Sequence, residues 1–231
     1  VHLAAYPYMF KKLPYDPAKD FDVAATLFKS YMFFVVPTNS KYKKVSDIVA
    51  DAKANPGKLD YGSWSIGNPV HLGMEELQQI TGTQMTHVLY KETPQLYQGV
   101  ANGDLPFTYG TAGTAGPLYK AGKLRFVAVA APYRLAAYPE VPTVAESGGP
   151  AAPYEVSGWN AIAVPKGLSP ALREKIRADI AEALGTTDVK DKFMNFGYEP
   201  LTLAADKIGP YVASEAKRHE QIIRKAHIKM D

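Results

Sequence analysis

Three times in the middle of this 231-residue chain a run with strand character passes into a short polar loop, and the loop passes into residues suited to open a helix. The first and most constraining is Lys58-Leu59-Asp60-Tyr61-Gly62-Ser63-Trp64-Ser65-Ile66-Gly67-Asn68-Pro69-Val70-His71-Leu72. Asn68 is a good N-cap and Pro69 suits the first helical position, so Val70, Met74 and Leu77 fall on one buried face of the helix that follows. A helix N-terminus offers unpaired N–H groups and the positive end of its dipole. Ser63, Ser65 and Asn68 are expected to add side-chain donors, which makes the loop a pocket for an anion.

The second unit is Met85-Thr86-His87-Val88-Leu89-Tyr90 as strand, Lys91-Glu92 as loop, and Thr93-Pro94 as cap and first residue of a helix to about Asn102. The third is Leu105 to Tyr109 as strand, with Gly110-Thr111-Ala112 opening a helix towards Lys120. Strand and helix in alternation predict an α/β domain with parallel strands, and ligands of open α/β sheets sit outside the carboxyl ends of those strands. Three polar helix starts are expected to converge there.

Around this middle the pattern changes. Tyr6 to Leu13 predicts one or two helical turns closed by Pro14, and Asp22 to Phe28 a strand. Ser30 to Val36 is a second apolar run ended by Pro37. Ser46-Asp47 is expected to cap a helix that Asn55-Pro56-Gly57 stops. Lys123 to Ala130 and Val156 to Val164 read as strands, joined by a proline-rich connection with a short helix near Thr143-Glu146. From Ser169 a long helix places Leu172, Ile176, Ile180 and Leu184 on one face. A second helix spans Asp188 to Phe196 with Gly197 as C-terminal cap, Tyr198 to Leu201 is a short edge strand, and a last helix runs to about His227 with a kink expected at Pro210. A central α/β domain inserted into another fits this order, with the chain crossing at 31–37 and again near 155–165.

Composition excludes several functions. A formal charge of +3 with scattered lysines and arginines gives no basic stripe for nucleic acid. Cysteine is absent, which removes disulfides, thiolate metal sites and cysteine nucleophiles. No apolar run approaches membrane-spanning length. With 46% hydrophobic residues the chain holds enough apolar material for one large or two small cores. No export signal stands at Val1, and Val1-His2-Leu3-Ala4-Ala5 reads as the continuation of a fold already under way, so upstream residues carrying an export signal and further units of the first lobe are expected.

A series of short motifs recurs here in a set order. It comprises Leu13-Pro14-Tyr15-Asp16-Pro17 with Lys19-Asp20-Phe21, then Asn55-Pro56-Gly57-Lys58 leading to Tyr61-Gly62-Ser63, Gly67 and His71-Leu72. His87-Val88-Leu89-Tyr90-Lys91, Gly122-Lys123-Leu124-Arg125, Arg134, Val141-Pro142-Thr143, Glu146-Ser147-Gly148 and Trp159 follow. Over nearly the whole chain it resembles the Bug-type periplasmic solute receptors that serve tripartite tricarboxylate transporters. The resemblance implies a two-lobed periplasmic binding protein, type II-like, with three-layer α/β/α lobes joined by a hinge of two crossings. The lobes are expected at 1–36 with 156–231, and at 37–155. It also implies a periplasmic location, transporter permease subunits as partners, no cofactor, and a ligand bearing a carboxylate between the lobes.

Carried onto this chain, the ligand-binding residues implied are Gly62, Ser63, Trp64, Ser65, Ile66, Gly67 and Asn68, with His71, Tyr90, Lys91, Glu92, Thr93 and Thr111 beside them. Glu92 stands where the family usually has glycine; an acidic group there repels a second carboxylate or meets an amine on the ligand. The family's first-lobe carboxylate loop has no counterpart in this sequence.

Two plainer readings bear on the same residues. Ser63-Trp64-Ser65-Ile66-Gly67 differs from the G-x-S-x-G nucleophile elbow only in having Ser63 at the first glycine, so a serine hydrolase of a small acidic substrate, using Ser65 or His71, is the alternative function. His71, His87, His219 and His227 are the histidines downstream. His71 reads as a packing or hydrogen-bonding residue before a base, and no His, Asp and Glu set has metal-ligand spacing. Trp64 reads as a wall for the ligand, Trp159 as structural at the hinge, and Lys91 either neutralises a carboxylate or is solvated. Lys217, Arg218, Arg224 and Lys225 read as the solvated face of the last helix, suited to its dipole.

Overall fold

The computed structural model describes residues 2–230. The expectation built on Val1 lies outside the described residues. In chain order the elements are α1 (Tyr6–Met9), α2 (Pro17–Asp20), β1 (Phe21–Tyr31), β2 (Phe33–Pro37), α3 (Val45–Ala54), β3 (Asp60–Ser63), α4 (Pro69–Thr81) and β4 (Thr86–Leu89). Then follow α5 (Thr93–Asn102), β5 (Phe107–Gly110), α6 (Ala112–Lys120), β6 (Leu124–Val129), β7 (Ser157–Pro165), α7 (Pro170–Gly185), α8 (Thr187–Phe196), β8 (Tyr198–Pro200) and α9 (Ala205–Lys225). A 3₁₀ turn at Ala145–Ser147 interrupts the connection after β6. The chain forms two compact units, Val1–Lys29 with Trp159–Asp231, and Ser30–Gly158.

The unit at 30–158 is a five-stranded sheet in the order β4-β3-β5-β2-β6. β4, β3 and β5 run parallel, while β2 pairs antiparallel with both β5 and β6. Period-two alternation along β2 and the two residues before it sends Met32, Phe34 and Val36 into one apolar layer and Tyr31, Phe33 and Val35 into the other. α3 and α4 cover the first layer through Ile48, Val49, Val70, Met74 and Leu77. α5 and α6 cover the second through Leu96, Tyr97, Val100 and Ala115. With helices on both faces, β2 is buried along its whole length, as strands of such sheets are.

Buried tyrosines knit the first layer. Tyr109 OH donates to Tyr154 OH at 2.7 Å, and Tyr154 OH donates to the Gly73 carbonyl at 2.5 Å. A Cβ at Gly73 would lie 3.1 Å from the Tyr154 hydroxyl, so the glycine lets α4 close on that pair. Within the proline-rich connection, the Arg134 guanidinium forks onto Glu146, with Nε at 3.0 Å from Oε2, and Glu146 Oε2 accepts the Thr143 N–H at 2.7 Å.

The other unit is thinner, a three-stranded sheet in the order β7-β1-β8 with α7, α8 and α9 around it. Here packing departs from the sequence pattern. The apolar face expected on α7 is half-buried at Ile176, Ile180 and Leu184, while Leu172 is 44% exposed. Arginines one turn apart also hold the helix to β1: Arg173 pairs with Asp22 at 3.2 Å, and Arg177 Nε donates to the Ala24 carbonyl at 3.1 Å. β8 is pinned by a stack of Phe28 on Tyr198, with centroids 4.2 Å apart.

Two local expectations are corrected. Lys44, not Ser46-Asp47, is the N-cap of α3; Asp47 lies one turn in and accepts the Lys43 and Lys44 N–H groups at 2.8 and 3.1 Å. α9 runs unbroken through Pro210, whose missing N–H withholds the helical donor from the Asp206 carbonyl four residues earlier. No helix among the described residues is long and apolar enough to cross a membrane.

Candidate functional site

β4, β3 and β5 are neighbours and parallel, so the three helix starts that follow them gather at one edge of the sheet. They are not equivalent. At α6 the opening is closed on itself: Thr111 Oγ1 accepts the Thr114 N–H at 3.2 Å and Thr114 Oγ1 accepts the Thr111 N–H at 3.1 Å. At α5 the N-cap is Glu92, not Thr93, an exposed residue whose side chain makes no cap hydrogen bond but adds a negative charge beside that helix start. α4, with 13 residues, keeps its loop amides available.

Asn68 caps α4 as expected, its Oδ1 accepting the His71 N–H at 2.8 Å. Gly67 has φ of 72°, the left-handed region open to glycine at little cost, and its N–H donates to His71 Nδ1 at 2.9 Å. Ser63, fully buried, donates its hydroxyl proton to the Ser65 carbonyl at 3.0 Å. Having one proton, Ser63 must then accept from His87 Nε2, which lies 2.7 Å away. A trans peptide points its N–H opposite to its carbonyl, so a Ser65 carbonyl turned in to Ser63 turns the Ile66 N–H out. The N–H groups of Ser65 and Ile66 find no protein acceptor among the described residues.

The two histidines beneath the loop are neutral donors and acceptors. His71 accepts on Nδ1, so its proton sits on Nε2, 3.8 Å from Glu75 Oε1. Its ring lies flat on His87, centroids 4.2 Å apart and planes 12° apart, and His87 lies on Tyr61 at 5.1 Å. Burial, with the His87 ring beside it, pushes the His71 pKa down to about 4, and burial lowers that of His87. The Tyr61 hydroxyl donates to Glu75 at 2.8 Å, and burial holds it well above the usual phenol range.

The structure thus joins Ser63, Ser65, Gly67, Asn68 and His71 in one hydrogen-bonded unit. Ser63 faces inward and serves the loop, and Asn68 Oδ1 serves the helix cap; the donors left over are the Ser65 and Ile66 N–H groups and the buried Asn68 Nδ2, which has no partner among the described residues. Trp64, read as a wall, is half-buried and packs against both apolar layers of the unit. Tyr90 turns back onto α5, where a Cβ at Gly99 would come within 2.8 Å of its hydroxyl. Gly62 is a packing glycine, since a Cβ there would strike Leu96 and lie 2.6 Å from a Leu105 methyl. Ile66, Lys91 and Glu92 are exposed, and Thr93 and Thr111 half-buried. His87 is the residue that the sequence pattern missed. Its alternation in β4 was the available signal; its register opposite Tyr61 emerges only in the paired sheet.

Residues 1–228 match the family described as tripartite tricarboxylate transporter family receptor. The chain belongs to that receptor family. Among its relatives is a Cupriavidus necator protein described as a UPF0065 protein in the gbd 5' region, 31% identical over 93% of this chain and 64% of its own length. The receptor chain therefore spans just under two thirds of that curated relative. An R. palustris protein solved with adipate superposes with a TM-score of 0.86 at 26% identity, over 98% of this chain and 75% of that one. A structure described as a periplasmic transporter superposes at 0.84 with 27% identity, over 100% of this chain and 76% of that one. These likenesses give the receptor chain the two-lobed α/β architecture of a periplasmic binding protein.

Proposed function

We propose that this chain is the binding portion of a periplasmic solute receptor that takes up a small carboxylate and delivers it to the permease subunits of a tripartite tricarboxylate transporter. The observation that carries the reading is the pair of free N–H groups at Ser65 and Ile66, set at the N-terminus of α4 and held there by bonds from Ser63 and Gly67. Backbone donors and a helix dipole bind a carboxylate without a cation, and the neutral histidines below supply none. The family match supports the receptor role, and the periplasmic relative supports the location. Residues 37–155 are taken as the lobe that carries the loop.

The hydrolase alternative gains no support. The serine that meets a histidine is Ser63, fully buried, and it accepts from His87 while giving its own proton to the Ser65 carbonyl. A nucleophile needs the reverse polarity. Thermal unfolding with a panel of carboxylates tests the receptor reading, with adipate first because the R. palustris relative was solved with it. At about a hundred times the dissociation constant a ligand adds roughly 2.7 kcal/mol, a rise of about 5–10 °C for a chain of this size. A flat response to every carboxylate in the panel contradicts the proposal.

A further inference from the structure

His87 belongs to no loop motif, yet it reaches both ends of the segment Ser65-Ile66-Gly67. At one end it donates to Ser63, and Ser63 holds the Ser65 carbonyl, 2.7 and 3.0 Å apart in turn. At the other end its ring backs His71 at 4.2 Å, and His71 holds the Gly67 N–H at 2.9 Å. The two peptide groups that flank Ile66 are therefore fixed from below through one side chain on the neighbouring strand. Fixing the first of them is what turns the Ile66 N–H outward.

We infer that His87 is the positioning residue of this loop: it touches no ligand, and it sets the direction of the free amides through Ser63 on one side and His71 on the other. The inference rests on the reading of the loop as a carboxylate site. Its mechanism is preorganisation. A loop already held in the bound geometry binds without an ordering cost, and a loop released from its braces must be reordered by the ligand.

Two variants separate the braces. His87→Phe keeps an aromatic ring against His71 and loses the donor to Ser63; His87→Gln keeps a donor and loses the ring. His87→Ala removes both. The readouts are amide hydrogen exchange at Gly67, with Met74 and Leu77 of α4 as controls, the tautomer of His71 by long-range proton–nitrogen NMR, and adipate affinity by calorimetry. Loss of a brace worth one hydrogen bond is read as about a five- to tenfold change. His87→Ala and His87→Gln are expected to raise Gly67 exchange by that factor and leave Met74 and Leu77 unchanged, while His87→Phe keeps Gly67 protected and weakens adipate by a similar factor.

If His87→Ala does not fold, the Phe and Gln variants decide. Unchanged Gly67 exchange in His87→Gln, or exchange that rises equally at Met74 and Leu77, overturns the positioning role. So does adipate bound by His87→Phe as tightly as by the unsubstituted chain. If the unsubstituted chain binds no adipate, the affinity arm moves to a carboxylate of the panel that does bind; if none binds, the carboxylate reading falls, and Gly67 exchange still decides whether His87 braces the loop.

Discussion

His71 accepts the Gly67 amide proton on Nδ1 at 2.9 Å, which is possible only while that nitrogen is unprotonated. The Ser65-Ile66-Gly67 loop therefore depends on a neutral imidazole beneath it. In the proposed site, the charge offered to a carboxylate is that of the α4 dipole and the backbone N–H groups, and the histidine contributes shape.

Acid should destabilise the protein in a defined window. His71 and His219 are both pushed down to about 4 by burial from the ordinary 6.5, and His87 is lowered in the same direction. Above 6.5 neither folded nor unfolded chain protonates them, and stability is complete. Between about 6.5 and 4 the unfolded chain binds the protons first, so stability falls with pH by up to about 1.4 kcal/mol per pH unit for each histidine. Glu146, held down to about 2 chiefly by Arg134, acts only below its ordinary 4.5. Urea unfolding across this range should show the slope begin near 6.5; a stability that stays level to about 4.5 contradicts the neutral pair.

Ser63→Ala should act on the fold as well as on binding. The hydroxyl is fully buried, and its loss leaves His87 Nε2 and the Ser65 carbonyl without their partner. A buried polar group left unpaired costs about 1–3 kcal/mol. Chemical denaturation of the apo protein checks this, and unchanged apo stability would mean that the hydroxyl faces outward.

Gly62→Ala should be destabilising by about 1–3 kcal/mol through overpacking, because the new methyl meets Leu96 of α5 and Leu105 of the connection between α5 and β5. Adding the same methyl at Gly103, where nothing lies within 4 Å, meets no such wall and is strained only by its φ of 87°. A Gly62→Ala protein as stable as the parent would contradict the close approach of α5 to β3.

Tyr154→Phe should cost about 1–3 kcal/mol, since it leaves the Tyr109 hydroxyl buried without its acceptor and takes from the Gly73 carbonyl the second donor it holds beside its helical one. Ligand affinity should hold, because the pair lies under the middle of α4 and not at its start. Denaturation and calorimetry on the same variant check both halves.

Much of the middle of the chain was legible in sequence because its signals are local. Asn68-Pro69 opens a helix, Gly82 and Gly197 end one in the left-handed conformation, and short apolar runs between polar loops become strands. What sequence does not carry is which way a polar side chain turns. Ser63 lies in a strand, where alternation alone sets its face, and that face is the one filled by α4 and the histidines. Hence Ser63 and the Asn68 oxygen build the loop; Asn68 Nδ2 stays without a partner, as a side-chain donor the motif marks, and the other free donors are the backbone N–H groups of Ser65 and Ile66, a kind that no motif marks. His87 was hidden for the same reason: its partner Ser63 is distant in sequence and adjacent only once β4 pairs with β3. On α7 the apolar period marked a stripe that is half-buried at Ile176, Ile180 and Leu184, but not that Arg173 and Arg177 also bind the helix to β1 through charge and backbone contacts, which hydrophobic periodicity cannot register.

The central claim is that a carboxylate is held by the N–H groups of Ser65 and Ile66 at the start of α4. A titration of the nitrogen-15-labelled protein with adipate, followed by proton–nitrogen correlation spectra, tests it most directly. Saturable downfield shifts largest at Ser65 and Ile66, with Gly67 still bonded to His71, are the result expected. Shifts centred instead on the starts of α5 or α6, with Ser65 and Ile66 unmoved at saturation, would contradict it.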